Sequence, residues 1–419
     1  MLQLPPFRYQ SNNAALYAGA AVPPAALDLD FTATTTLDAR ITFTRASVAT
    51  YFDSSGVLST AASGAPRFDF DPVTLAPKGL MIEEARTNNA VRSQEFDNAS
   101  WVKTGATVTA NSITSPDGTT TADLITASAT TATISQATTA IVSYAVSIFA
   151  KKGTSDWIYL VGQVTDAPKV WFNINTGSVG TVQAGFVGTG IQSIGNGWYR
   201  CWFTDAQGTG NEPVTVGLCD ADNSSAVTVG RTMYLWGAQQ ETVVQGVFLT
   251  SYIPTVGSAV ARVADVAIMT STNFSSWYNA SAGTFVAEFD TVSGSGTRII
   301  MQADDNTANE RITFLASSTS DGLSRVIVAD GGPVQANITT GSLALLVPHK
   351  LGLSFALNDF ASCRNGGTVG LDTLGTLPTL TQLRIGADAS TTAYLSGHVR
   401  RIQFWNTAKS DAELQALTT

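Results

Sequence analysis

Apolar and polar residues alternate in short runs over most of the chain, and clusters of Gly, Asn, Asp and Thr separate the runs. In residues 284–290 every second position is apolar, at Phe285, Ala287 and Phe289. Side chains at every second position share one face of an extended strand. The pattern is typical of antiparallel sheets that bury one face and expose the other.

The pattern predicts an all-β chain, with two jelly-roll β-sandwiches in tandem preceded by an extended N-terminal anchoring arm or small β subdomain. Prolines and glycine-rich turns divide the chain into four parts. These parts are an extended anchoring tail at 1–26, an arm or small β subdomain at 27–100, a jelly roll at 101–260 and a second sandwich at 261–419.

One helix is predicted, close to the last residue. Ser410 and Glu413 have the spacing of a capping box, in which each side chain bonds to the backbone N–H of the other residue. Leu414 and Leu417 follow and supply an apolar face. We expect a short helix that packs against an edge of the second sandwich.

The first 26 residues are rich in Ala, Pro and Asn and show no period. Paired prolines exclude a regular helix or a central strand there. A tail of this kind stays frayed unless a surface holds it, and that surface belongs either to a partner or to the chain's own domain. The candidate anchoring residues are Leu4, Pro5, Pro6, Phe7, Tyr9 and Tyr17.

Composition and charge narrow the functional classes. Only 13% of the residues are charged and 44% are hydrophobic, which indicates a globular chain and not a disordered one. The net charge is −9, so the chain lacks the basic surface that nucleic-acid binding requires. We therefore expect no nucleic-acid partner.

The three cysteines, Cys201, Cys219 and Cys363, are odd in number and lack metal-ligand spacing. They imply no disulfide framework and favour assembly in a reducing compartment. The first residues lack the layout of a secretion signal, and no apolar run approaches the roughly 20 residues of a membrane span. We expect no membrane insertion and assembly in a cytoplasm.

Common catalytic motifs are missing from the sequence, including the serine-hydrolase elbow, the zinc-protease motif and the phosphate-binding loop. The two histidines, His349 and His398, are interpreted as structural positions on strands. Glu288 and Asp290 begin a pattern that resembles the Glu-x-Asp-x-Glu strand of concanavalin A-like glucanases, but Val292 replaces the last acid. A glycosidase needs a pair of carboxylates in its cleft, and the replacement at Val292 removes one acid of the pattern. We therefore expect Glu288 and Asp290 to face solvent and the chain not to be an enzyme.

Five segments resemble, in this order, a family of phage virion spike and tail-fibre proteins that also includes the head spikes of gene transfer particles. They are ITFTRAS at 41–47, PRFDFDP at 66–72, GLMIEEARTN at 79–88, WGAQ at 236–239 and TSYIP at 250–254. The resemblance covers about 27–262 and implies that residues 27–100 attach the chain to a particle.

Two further resemblances concern the sandwiches. Residues 101–260 are similar to carbohydrate-binding jelly-roll modules. Residues 261–419 resemble concanavalin A-like domains of the laminin G type, mainly through GHVRRIQFW at 397–405 and SDAEL at 410–414. Together they imply a virion appendage with sugar-binding folds, placed on either the capsid or the tail.

Sugar binding requires aromatic planes for the C–H face of a pyranose and polar neighbours for its hydroxyls. Strand aromatics of the first jelly roll are the glycan-binding candidates, although the same residues can equally form the core: Trp157, Tyr159, Trp171, Trp198 and Trp202.

Calcium is left open as a ligand, because some jelly-roll lectins hold it through loop carboxylates and amides. The candidate ligands are Asp304, Asp305, Asn309 and Glu310, and a second cluster lies at 220–223. Both clusters are also typical of turns that bind no ion.

The sequence thus predicts a non-enzymatic virion appendage, a head spike or tail fibre, that binds host-surface polysaccharide during adsorption. It would be a homo-oligomer on the surface of a phage or phage-like particle, assembled in the bacterial cytoplasm and joined to other virion proteins through its N-terminal region. Two alternatives stay open: a polysaccharide-degrading glycosidase and a purely structural adaptor or decoration protein.

Overall fold

The computed structural model describes residues 23–138, 143–162, 167–205, 212–242, 248–293, 296–317 and 322–419. In these ranges almost all regular structure is β-strand, and no helix is long and apolar enough to cross a bilayer. Outside the described residues lie all the candidate anchoring residues: Leu4, Pro5, Pro6, Phe7, Tyr9 and Tyr17.

Seven short strands lie before residue 100. They are β1 (Leu27–Asp30), β2 (Thr42–Thr44), β3 (Ala49–Phe52), β4 (Leu58–Ala61), β5 (Phe68–Phe70), β6 (Pro77–Ile82) and β7 (Arg86–Asn88).

Twelve strands follow up to residue 242. They are β8 (Val102–Thr104), β9 (Ala106–Ile113), β10 (Ala122–Ala127), β11 (Ala132–Gln136), β12 (Tyr144–Lys152), β13 (Trp157–Val161), β14 (Lys169–Asn173), β15 (Ser178–Val182), β16 (Phe186–Gly195), β17 (Trp198–Asp205), β18 (Val214–Cys219) and β19 (Thr232–Thr242).

The remaining elements include two helices. They are β20 (Val260–Arg262), β21 (Val266–Thr270), α1 (Thr272–Ser275), β22 (Ala282–Thr291), β23 (Arg298–Asp304), β24 (Arg311–Ser317), β25 (Leu323–Ala329), β26 (Val334–Ser342), β27 (His349–Ala356), β28 (Asp359–Arg364), β29 (Gly370–Asp372), β30 (Gln382–Ile385), β31 (Gly397–Trp405) and α2 (Asp411–Thr418).

Two antiparallel sheets form the first sandwich. Sheet I has the strand order β16-β17-β12-β19-β10-β9, and sheet II has the order β15-β14-β13-β18-β11-β8. Their inner faces bury one apolar core, to which Ile148 and Phe203 of sheet I and Ile158 and Phe172 of sheet II belong. The alternation of the strands decides which residues enter this core.

The second sandwich is built in the same way. Sheet III has the order β29-β28-β27-β22-β31-β6-β5, and sheet IV has the order β2-β21-β30-β23-β24-β25-β26. Phe285, Ala287 and Phe289 point into its core, as their spacing predicts, and meet Ile312 and Phe314 of sheet IV.

The segment before residue 100 contributes strands to the sheets of both sandwiches. Strands β5 and β6 extend sheet III, β1 pairs with β31 of that sheet, and β2 forms an edge of sheet IV. Strand β7 pairs with β19 of sheet I and with β20. The hairpin β3–β4 contributes Leu58 to a cluster on the outer face of sheet I.

The predicted fold class is confirmed: the chain is all-β, with two sandwiches and an additional β segment before them. The capping box is also confirmed, because the Ser410 N–H donates to Glu413 Oε2 at 2.9 Å and the Glu413 N–H donates to Ser410 Oγ at 3.4 Å. Helix α1, a single turn, was not predicted. The four-part division of the chain stays a prediction.

Five buried ions meet where the N-terminal segment joins the sandwiches, and we call them the junction cluster: Arg45, Arg67, Glu83, Arg262 and Asp265. Arg67 lies at its centre, with Nη1 at 2.7 Å from Glu83 Oε2 and Nη2 at 2.5 Å from Asp265 Oδ2. Arg45 reaches Asp265 at 3.0 Å, and Arg262 reaches Glu83 at 3.0 Å.

The junction cluster balances the cost of burying charge. Burial alone raises the pKa of Glu83, but the guanidinium groups of Arg262 and Arg67 outweigh it and hold that pKa well below its ordinary value. The Ser251 N–H also donates to Glu83 Oε1 at 2.7 Å. Each of the two carboxylates is therefore bonded on both oxygens, which is the condition for a tolerable buried ion pair.

Residues of this cluster come from the segments that carry the resemblance to virion spikes. Arg45 belongs to 41–47, Arg67 to 66–72 and Glu83 to 79–88. Asn88 of the last segment donates to the carbonyl groups of Ala238, at 3.0 Å, and Ile253, at 2.8 Å. These motifs therefore form the interior of the junction and not a ligand surface.

We expect Arg67→Met to lower the free energy of unfolding by about 3–5 kcal/mol, because it leaves two carboxylates short of a buried partner. Urea unfolding followed by tryptophan fluorescence measures the change. The matched control is Arg40→Met, which removes an ion pair to Asp38 whose side chains are 33% and 27% exposed. Arg40→Met should lower the free energy of unfolding by less than about 1 kcal/mol. Equal costs for both variants would contradict the central role of Arg67.

Candidate functional site

Three of the five predicted glycan-binding aromatics lie together on the outer face of sheet II. Tyr159 in β13 is directly opposite Trp171 in β14, with ring centroids 6.0 Å apart, and Trp157 packs beside them. Their chain neighbours Ile158 and Phe172 point into the core. The period of the strands thus brings these rings onto a face that could hold a sugar.

A loop at 220–228 covers most of this aromatic face. The Trp171 indole donates from Nε1 to the carbonyl oxygen of Ser224 at 2.6 Å, and the side chains of Tyr159 and Trp171 are each only 2% exposed. Trp157 is half-buried. With the loop in this position, only Trp157 has ring surface that a ligand could reach.

Trp198 and Trp202 lie on the other sheet of the first sandwich. Trp198 is packed beside Leu58 and donates to the Thr114 carbonyl at 3.1 Å. Trp202 is half-buried, and its ring lies so close to Gly190 that a Cβ there would be 2.4 Å away. The five predicted aromatics therefore do not form one site, and Trp198 serves packing.

The candidate calcium ligands are largely bonded to protein donors. Asp304 is fully buried and accepts hydrogen bonds from Gln302 Nε2 at 3.0 Å, Arg384 Nε at 3.0 Å and the Asn306 N–H at 2.7 Å. Glu310 accepts two backbone N–H groups, at 2.6 and 2.8 Å.

The other two candidates lie in the same loop. Asp305 accepts from the Thr307 hydroxyl at 2.6 Å, and the Asn309 N–H donates to the Thr307 hydroxyl at 3.0 Å. Within the described part of the chain, no group of three or more His, Cys, Asp or Glu side chains is arranged to hold a metal ion. Calcium binding by Asp304, Asp305, Asn309 and Glu310 stays a prediction.

A depression of about 380 Å³ lies on the outer face of sheet IV, and we call it the sheet IV pocket. Strands β23, β24 and β25 form its floor, and the loops at 306–308 and 388–390 form its walls. One part of the lining is apolar, from Ile299, Leu315 and Ile327.

The other part of the pocket lining is polar and comes from the same alternation. In β24, Ile312 and Phe314 enter the core, so Arg311 and Thr313 face the opposite way, into the pocket. Strand β23 adds Gln302 next to Thr313.

A chain of hydrogen bonds holds this polar floor in place. Thr313 Oγ1 donates to Gln302 Oε1 at 3.0 Å, Gln302 Nε2 donates to Asp304 Oδ2 at 3.0 Å, and Arg384 Nε donates to the same oxygen at 3.0 Å. Buried polar side chains bonded in series occupy defined positions. Gln302 and Thr313 are 3% and 4% exposed, so they form the floor of the pocket and keep their positions without a ligand.

A second buried polar group lies at the edge of sheet III. The His398 ring is bonded through Nδ1 to Asp290 Oδ1 at 2.8 Å and through Nε2 to Asp69 Oδ2 at 3.0 Å. Burial lowers the pKa of His398, but the two carboxylates outweigh it and raise that pKa above its ordinary value. Lys78 lies 3.2 Å from Asp69 and completes the group.

This arrangement corrects one expectation about the acids of β22. Asp290 was expected to face solvent, but it is 4% exposed and bonded to His398. Phe289 stays in the core, so Asp290 keeps the outer face of β22 and is buried there against its cross-strand neighbour His398. Glu288 is half-buried and paired with Arg400 at 2.9 Å.

No sequence pattern indicated the sheet IV pocket. Arg311, Thr313 and Leu315 stand at every second position, so their shared strand face follows from their spacing. A search restricted to aromatic residues passed over them because the pocket has no aromatic lining residue. A search for polar residues on the outer faces of the second sandwich would have found them.

About a third of the chain is similar in structure to parts of known proteins. No protein-family model matches the sequence, and no curated protein is significantly similar to it. Among solved structures, the CBM40 module of the Ruminococcus gnavus IT-sialidase bound to α2,3-sialyllactose is similar, at 16% identity and a TM-score of 0.30, over 34% of this chain and 84% of that chain.

Two other similar structures belong to larger or different proteins. The NanB sialidase of Streptococcus pneumoniae matches at 16% identity and a TM-score of 0.31, over 36% of this chain and 26% of that chain. A heptameric SAP-like pentraxin of Limulus polyphemus matches at 12% identity and a TM-score of 0.26, over 33% of this chain and 70% of that chain. Likenesses of this size do not identify what the chain binds.

We expect the His398 group to make stability depend on pH in a defined direction. Because the pKa of His398 is raised in the folded chain, its contribution is complete below pH 6.5 and is lost as pH rises through the raised pKa. The pKa values of Asp69 and Asp290 are lowered from 3.8, so their contribution is lost only in stronger acid.

Urea unfolding of the wild type and of His398→Gln between about pH 6 and pH 9 tests this expectation. The wild type should lose more unfolding free energy over this interval than the variant, which has no titrating ring at position 398. The same pH slope in both proteins would show that His398 takes up no proton on folding.

Proposed function

We propose that this chain is a carbohydrate-binding protein that holds a sugar in the sheet IV pocket. The two-sided lining carries the proposal: apolar side chains of Leu315 and Ile327 lie beside the hydrogen-bonding groups of Gln302 and Thr313. A pyranose has the same division, with a C–H face and a rim of hydroxyls. Pockets with an apolar lining and a few oriented polar groups are typical of small-ligand sites.

The pocket has room for a short part of a longer glycan. Its volume of about 380 Å³ lies near the lower end of the roughly 300–1,000 Å³ of small-molecule sites. We expect one or two sugar residues to be held there, with weak affinity for each site. Several copies on one particle would raise the overall affinity through effective concentration.

The wider biological role is proposed from the sequence. The five segments between 41 and 254 resemble virion spike and tail-fibre proteins, so we propose a non-enzymatic head spike or tail fibre of a phage or phage-like particle. Its N-terminal region would attach it to capsid or tail proteins, and its copies would bind host-surface polysaccharide. We propose that several copies assemble symmetrically.

Blocking the pocket should abolish glycan binding. Ala308 is exposed at the mouth of the pocket, so Ala308→Trp fills the opening without entering the core. On an array of bacterial surface polysaccharides, the wild-type chain should bind a subset, and Ala308→Trp should lose at least 10-fold in apparent affinity for that subset.

The matched control is Ala221→Trp, in the exposed loop that covers the aromatic face of sheet II. It should leave glycan binding unchanged. Loss of binding in Ala221→Trp with full binding in Ala308→Trp would place the site on the first sandwich instead. An absence of binding to every polysaccharide by the wild type would overturn the proposal.

The virion role requires a separate test with intact particles. We expect purified particles to contain the chain, and particles that carry Ala308→Trp should adsorb to host cells several-fold more slowly than wild-type particles. Particles that carry Ala221→Trp should adsorb normally. Normal adsorption of particles that lack the chain altogether would show that it is not an adsorption protein.

A further inference from the structure

One arginine of the sheet IV pocket has no protein partner. Among the residues that the structure describes, none forms a hydrogen bond or ion pair with the guanidinium group of Arg311, although this side chain is half-buried. Other buried arginines of the same sandwich are matched: Arg384 lies 3.0 Å from Asp304, and Arg298 lies 3.0 Å from Glu84.

The acids around Arg311 are bonded elsewhere. Asp304 is its cross-strand neighbour, but the carboxylate of Asp304 is taken by Arg384. Glu310 accepts two backbone N–H groups, and Asp388 Oδ1 accepts two more, at 2.9 and 3.1 Å. Among the described residues, no carboxylate therefore forms an ion pair with Arg311.

The position of this charge favours an anionic group of a ligand. Partial burial lowers the pKa of Arg311, because it removes water from around the charged guanidinium. A guanidinium matches the two oxygens of a carboxylate with parallel N–H donors. Arg311 also lies on the same strand face as Thr313 and Leu315, so a sugar chain that runs along the strand could contact all three.

We propose that Arg311 selects sugars that carry a carboxylate, such as uronic acids or sialic acids. The carboxylate would bind Arg311, the hydroxyls would meet Gln302 and Thr313, and a C–H face would pack on Leu315. Asp388 also lines the pocket, and its carboxylate would repel a ligand carboxylate placed beside it instead of beside Arg311. This inference rests on the proposed function and adds the chemical class of the ligand.

The test uses the full chain and matched pairs of polysaccharides. Purified capsular polysaccharides that contain uronic acid or sialic acid are compared before and after reduction of their carboxyl groups to primary alcohols. Calorimetry should show at least roughly 10-fold weaker binding after reduction, because a charge-assisted pair is lost. The two series separate the uronic from the sialic acids.

Variants of the arginine complete the design. Arg311→Met should reduce binding of the unreduced polymer to the level of the reduced one, and Arg311→Lys should retain an intermediate affinity. The control is Arg364→Met, a half-buried arginine of sheet III that donates to the Ser342 carbonyl, and it should bind normally. If Arg311→Met does not fold, Arg311→Lys and the wild-type comparison carry the test.

The outcomes distinguish the two claims. Equal binding of reduced and unreduced polymers by the wild type, with loss of both in Ala308→Trp, would overturn the selectivity of Arg311 and leave the proposed glycan site in place. No binding to either series would overturn both. Selective binding that Arg311→Met does not change would place the recognition of the carboxylate elsewhere.

Discussion

Arg67 lies between Glu83 and Asp265 in the interior of the protein, and this arrangement constrains the rest of the fold. An unpaired ion at such a depth would cost several kcal/mol, so the segments that supply these ions must meet in one arrangement. Buried ion pairs add little net stability compared with apolar packing, but they penalise every other register strongly. The junction cluster therefore determines how the strands of residues 27–100 pair with the two sandwiches.

The sheet IV pocket depends on a rigid surrounding structure, because its polar side chains must be held in position before a ligand binds. Strand β2 covers one edge of sheet IV, and the hydrogen-bonded series from Thr313 through Gln302 to Asp304 fixes the floor. Oriented groups of this kind reduce the ordering cost of binding. In the same pocket, Arg311 is a charged side chain with no bonded partner among the residues that the structure describes.

Strand positions could be predicted well because a period of two residues is a local signal. The alternation at 284–290 predicts the strand β22 and the three side chains that it buries. Long-range pairing left no local signal: Leu27 pairs with Phe404, and Arg67 meets Asp265 across 198 residues. The burial of Tyr159 and Trp171 depends on a loop far away in sequence, so aromatic content alone could not predict it. Among the described residues Arg311 has no acid bonded to it, and this also depends on tertiary structure.

A crystal structure of the full chain with a bound acidic oligosaccharide tests the central claim most directly. The account predicts sugar density in the sheet IV pocket, with the carboxylate at about 2.7–3.0 Å from the guanidinium nitrogens of Arg311. A sugar bound instead against Trp157 or Trp202 of the first sandwich would contradict it. So would a sugar in the pocket whose carboxylate points away from Arg311 into solvent.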